Sequence, residues 1–238
     1  MFKALMTILG LAAGGAPATP LVPLPWPGGS AGYILYEPLF CDRPADFQPR
    51  PGADAATWQA LLYGEAPDPA KVAALANDAS AESRVRALAF NWLRAHGHEV
   101  PKRVVVGVII EYPVDKGLDV LAAYADGRVR YINQSGKTAL VEPGGLPVAS
   151  QMAQALVAHA QPLVDRIGPW DKARLPPPVK PAMRLTFLVS DGLYFGQGPA
   201  QALRADPAAG PLILEGARLM QVVIDQALAH PASGKAQP

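Results

Sequence analysis

The chain has 238 residues, half of them apolar and 17% charged, with 21 Lys and Arg against 20 Asp and Glu. That length suits one large domain with its own core, and that composition excludes a disordered chain. Balanced charge without a basic run argues against a sequence-independent grip on nucleic acid, and a single cysteine, Cys41, excludes an intramolecular disulfide or a multi-cysteine zinc site.

In chain order, residues 1–18 carry two readings. Phe2-Lys3, an apolar run from Ala4 to Ala13 and Ala16-x-Ala18 have the layout of a cleavable leader. The same run suits a buried N-terminal helix ended by Gly14-Gly15. It is too short to span a bilayer, which takes about 20 residues, and no other segment is long and apolar enough. The compartment, cytoplasmic or periplasmic/secreted, therefore stays open. Residues 19–53 hold prolines, glycines and scattered aromatics, and read as an extended wrap with one short strand at 32–36.

A helical prelude is expected over 54–97. Asp54 is placed to cap a helix through Trp58, Leu61 and Leu62 that Gly64 stops, and Asp68-Pro69 is an N-cap followed by proline at the first helical position. In "SAESRVRALAFNWLRAHGHEVP", Val85, Leu88, Ala89, Trp92, Leu93 and His96 recur at the spacing of one helix face. Gly97 and Pro101 end that helix.

The period then changes. Residues 104–110 form a continuous β-branched apolar run, as expected of a central strand covered on both faces. Residues 118–124 follow, Asp126-Gly127 supplies a hairpin turn, and 129–133 return; Ser135-Gly136 turns again into 138–142. An amphipathic helix over 149–167 should kink at Pro162 and stop at Gly168-Pro169. "RLPPPVKP" at 174–181 must be extended. Residues 184–190 and 193–195 make a second hairpin about Asp191-Gly192, a last helix covers 211–229, and 231–238 read as a disordered tail.

The fold class is thus α+β over residues 54–230. An antiparallel sheet of about five or six strands, a meander plus a hairpin, packs against long amphipathic helices. The expected core joins Val106, Ile110, Val120, Tyr124, Val129 and Phe187 to Leu88, Trp92, Leu156 and Met220. This order of elements resembles the type III secretion chaperone-like fold, a family of small α+β proteins that bind other polypeptides. The resemblance lies in topology alone and transfers no residues. "ESRVRALAFNWLRAHG" and "GLDVLAAYADGRVRYINQSGK" also resemble segments of bacterial proteins of unassigned function.

Two similar hairpins, "YADGRVRYINQSG" and "VSDGLYFGQGP", each set an Asp-Gly turn before a strand with a tyrosine, an amide and a glycine. Tyr131, Asn133 and Tyr194 are therefore candidate ligand contacts at a sheet edge, with His159 on the neighbouring helix. Turn chemistry accounts for the same residues on backbone grounds. Catalytic motifs are thin. "SGK" lacks the earlier glycine and following helix of a phosphate loop. Ser150 and Ser190 sit in no nucleophile elbow, and His96, His98 and Glu99 lack metal-site spacing. Cys41 has no fixed partner, while Glu111 and Asp115 flank a strand end as a possible carboxylate pair. The expectation is a non-enzymatic protein-interaction module with a protein partner and no cofactor or metal. The alternative is a small-ligand sensor or enzyme with a pocket between the sheet and the 149–167 helix.

Overall fold

Residues 24–50, 52 and 54–229 are described by the structure, a computed structural model. Both readings of residues 1–18 and the tail at 231–238 fall outside them. The middle layer is built from β1 (Val105–Val114), β2 (Gly117–Tyr124), β3 (Val129–Ile132), β4 (Thr138–Val141), β5 (Ala182–Val189) and β6 (Gly192–Pro199). They form one six-stranded antiparallel sheet in the order β4-β3-β2-β1-β5-β6. The meander and the second hairpin form as expected, and β1 joins them by pairing with both β2 and β5.

Side chains alternate across a strand, so a sheet buried on both sides divides the apolar residues into two cores. Ile110, Leu121, Val129, Leu185 and Phe187 face a layer made by α5 (Pro147–His159) and α8 (Ala209–Ala229). Val106, Ile109, Val120, Tyr124 and Leu188 face the other way, under N-terminal elements. These are α1 (Ala31–Tyr36), α2 (Thr57–Tyr63), α3 (Pro69–Asn77) and α4 (Ser83–Ala95). The single expected core is therefore two. Leu88 and half-buried Trp92 accompany Val106, Val120 and Tyr124, whereas Leu156 and half-buried Met220 accompany Ile110, Val129 and Phe187.

Several local expectations change for identifiable reasons. Residues 32–36 are helix, not strand: the Ser30 Oγ accepts from the Tyr33 N–H, and Gly32 and Tyr36, one turn apart, are the buried pair. Gly32 also has to be small. A Cβ there would lie 2.6 Å from Ile132 Cγ2 and 2.9 Å from the Gly136 backbone, at the turn that α1 rests on. The N-cap of α2 is Ala56, whose N–H is taken by the Gln59 side chain, so Asp54 lies before the helix. Asp68 does cap α3, accepting from the Ala70 N–H at 2.9 Å.

Pro162 breaks the helix rather than kinking it. The helix α5 ends at His159, and Pro162 sits in the first turn of α6 (Gln161–Val164), where its missing N–H costs nothing. A short α7 (Ala200–Ala205) follows β6 without a periodic signal in the sequence. Residues 174–179 carry neither helix nor strand, as their prolines require.

The expected stripe of α4 is buried at Val85, Leu88, Ala89 and Leu93, but Trp92 is half-buried and His96 is exposed. Their rings stack at 4.0 Å between centroids. Phe90, off the stripe, is 1% exposed, in the same core as Val72 and Ala76 of the neighbouring α3. Truncating Phe90→Ala should therefore cost about 3–5 kcal/mol, the range for a buried aromatic, and Trp92→Ala clearly less. Urea unfolding of both variants checks this ordering.

Candidate functional site

The four residues singled out from sequence are not brought together. Tyr131 is buried and donates its hydroxyl to Asp119 Oδ2 at 3.2 Å. The Asn133 Oδ1 accepts from the Ser135 and Lys137 N–H groups and from the Ser135 hydroxyl, which makes it the cap of the β3–β4 turn. Tyr194 is 1% exposed and donates to Asp191 at the β5–β6 turn. Four strand spacings separate β3 from β6, about 19 Å at the usual inter-strand distance. Burial, reinforced by Asp119 and Asp191 respectively, raises both tyrosine hydroxyls above the ordinary value. Neither is poised to lose a proton.

His159 lies on the outer helical layer, 61% exposed, with Nδ1 2.9 Å from Glu215 Oε2 of α8. The other candidates resolve in the same direction. Burial pushes the Cys41 thiol up to about 12, and its side chain is fully enclosed. The Ser190 hydroxyl donates to the Pro101 carbonyl and accepts from the Val104 N–H, fastening the start of β1. Ser150 Oγ is buried and holds no partner among the described residues. No cluster of three or more His, Cys, Asp or Glu suits a metal among the described residues.

Glu111 and Asp115 part company. Asp115 is exposed and pairs with Lys180. Glu111 is wholly buried within β1 and lies directly opposite Arg184 of β5. Both face the N-terminal side of the sheet. Arg184 Nη1 lies 3.5 Å from Glu111 Oε2, and the Tyr36 hydroxyl donates to Glu111 Oε1 at 2.6 Å. Arg184 spends its remaining donors on the Gln197 side chain and on the carbonyls of Leu175 and Pro176.

Beside this pair, Arg174 bridges Glu37 and Asp42, 2.8 Å from the latter, and its guanidinium lies 3.8 Å from the Phe40 ring centroid. Arg43 adds weaker contacts to Glu37 and Asp46. The cluster thus ties two segments without strands, residues 36–46 and 174–176, to the middle of the sheet. An Arg fork suits this task, because its donors are fixed in one plane.

Arg184 holds the carbonyls of Leu175 and Pro176, so the strap that follows is placed. Pro176, Pro177, Pro178, Val179 and Lys180 line one side of an open groove of about 660 Å³. Pro113, Val114, Gly117 and Leu118 of the β1–β2 turn line the opposite side, with Leu24 and Pro25 beside them. The lining is apolar apart from the Asp115–Lys180 pair, and Val179 is 77% exposed.

Sequence reasoning singled out Glu111 for the wrong neighbour and passed over Glu37, Asp42, Arg174 and Arg184. One signal was legible. Glu111 and Arg184 are charges of opposite sign, each set within a largely apolar strand.

The cluster has a consequence in pH. Burial raises the Glu111 carboxyl above the usual carboxylate range, against the pull of Arg184 and the Tyr36 hydroxyl. A carboxyl raised on folding contributes its stability below the unfolded value, about 4.3. That contribution is lost as pH rises through the folded value. Glu111→Gln cannot titrate, so the unfolding free energy of the wild type minus that of the variant should fall as pH rises from 4. Urea unfolding across that range measures the slope, and a difference that grows with pH would show Glu111 to be ionised more readily in the folded state.

No protein-family model matches the chain, and no curated protein matches it significantly.

Proposed function

We propose that the protein is a non-enzymatic module that binds an extended, apolar segment of another polypeptide in the groove between the proline strap and the β1–β2 turn. The observation that carries this reading is the lining. It is a trough of mainly apolar side chains whose only charged members, Asp115 and Lys180, are paired with each other. Its strap wall is anchored by Arg184 from the buried cluster. A wall already ordered loses little conformational freedom when a segment lies against it. An open trough, rather than an enclosed cavity, suits a chain that enters and leaves at both ends.

Two further points support the reading. The order of helix, meander, helix, hairpin and terminal helix is the one that resembles the type III secretion chaperone-like fold, whose members bind polypeptides. The alternative, a pocket between the sheet and α5, needed His159 and Glu111 to converge. His159 points to the outer surface, and Glu111 is sealed on the opposite face of the sheet.

The test begins by immobilising the full chain and recovering what it retains from native extract. The recovered partner is then titrated against variants. Val179→Asp changes an exposed position and should leave unfolding unaltered, yet weaken the partner roughly tenfold or more, since it sets a charge into an apolar contact. His159→Ala should change nothing. Equal affinity for the wild type and Val179→Asp would remove the groove from the interaction.

A further inference from the structure

The described chain starts at the groove itself. Leu24 and Pro25, its first two residues, belong to the groove lining. Their place is fixed by the residue that follows. Trp26 is 3% exposed, and its indole N–H donates to the Asn133 carbonyl at 2.8 Å. Pro25 is exposed, whereas Leu24 is half-buried and packs against the N-terminal core. Followed backward, the chain therefore passes from the rim into the lining.

The residues just before Leu24 match what the groove presents. Thr19, Pro20, Leu21, Val22 and Pro23 carry no charge, and no charged side chain occurs anywhere from 4 to 36. Thr19, Val22 and Leu24 each precede a proline, which pushes them toward extended backbone. A stretch of this kind has little conformational freedom left to lose on docking. Five residues in that geometry reach about 15 Å. The strap wall, from Pro176 to Lys180, is an equal length of chain and itself rich in proline. On that wall Val179 is 77% exposed, the most exposed of the large apolar side chains among the described residues.

We infer that residues 19–23 occupy the groove of their own chain, as an autoinhibitory segment that a polypeptide partner has to displace. The inference rests on the groove reading proposed above and adds its regulation. The occupant is this segment rather than a second copy, because no linker separates it from the lining. A segment tethered so closely meets its site at an effective concentration in the millimolar range. It also lies after residues 1–18, so it stays with the chain under both readings of them.

Thiol labelling of the full chain tests this without a partner. Native Cys41 stays silent, being fully enclosed with its thiol pushed up to about 12. Leu21→Cys keeps a small apolar side chain at the tested position, and iodoacetamide, an uncharged reagent, reports how open it is. Leu21→Cys should react roughly tenfold more slowly than Leu21→Cys/Val179→Asp, in which a charge is set into the apolar contact. Equal rates would overturn the inference. Protection that grows with protein concentration would do so too, since the occupant would then be a second copy.

A fluorescein-labelled peptide of residues 17–25, followed by anisotropy, gives the second reading. The variant Leu21→Asp/Val22→Asp, with circular dichroism unchanged, should hold it roughly tenfold more tightly than the wild type, whose groove is already filled. Val179→Asp should cost the peptide more affinity in that background than in the wild type, where it also loosens the competitor. A peptide held equally by the wild type and Leu21→Asp/Val22→Asp, and released by Val179→Asp, would overturn the inference and leave the groove reading standing. A peptide that neither chain holds would also overturn the inference, while the groove reading would then be decided by the partner recovered from extract.

Discussion

A carboxylate and a guanidinium placed opposite each other on adjacent strands of a sheet have to be covered, or the sheet stays wet there. Glu111 and Arg184 impose that constraint. Moving an unpaired charge into a protein interior costs several kcal/mol, and even a paired one recovers that cost only with good geometry and additional hydrogen bonds. Here those bonds come from the Tyr36 hydroxyl on one side and from the carbonyls of Leu175 and Pro176 on the other. The ion pair is thus less a source of stability than a fixture that dictates where two irregular segments lie. Arg174 repeats the arrangement one layer out, gathering Glu37 and Asp42 against the Phe40 ring.

Glu111 and Arg184 are buried, and there they position backbone. What faces outward near them is apolar wall and strand edge. The strap owes its course to carbonyls held by Arg184, and the groove owes its shape to the strap. Among the described residues the outer edge of β6 is bridged at Leu193 alone, beyond which the chain runs on to Arg174 and its contact with Asp42.

Much of the fold was legible in the residues. Asp126-Gly127 and Ser135-Gly136 announced the meander, and Gly127 and Gly136 take the positive φ values those turns need. Asp68-Pro69 announced α3, and the apolar run before Glu111 announced a strand covered on both sides. The candidate site was far less legible. Tyr131, Asn133 and Tyr194 were conspicuous because turns concentrate such residues, and the structure finds each engaged in its own turn or strand. The helix at Ala31–Tyr36 was hidden because it covers only six residues, with its buried positions one turn apart. A stretch so short gives periodicity too little to register.

The sequence by itself determined the fold class and the turns, because period, capping and glycine placement are local and act within a few residues. It also determined that the first strand is covered on both faces, since residues 104–110 are continuously apolar. The tertiary structure alone decided which charges meet. Tyr36, Glu111 and Arg184 are far apart along the chain, and their convergence depends on strand order and register, the pairing of β1 with β5 placing Glu111 opposite Arg184. Hydrogen bonding between such distant groups has no periodic trace. It exists only once the sheet has brought them within reach, and the course of the strap beside the groove follows from it.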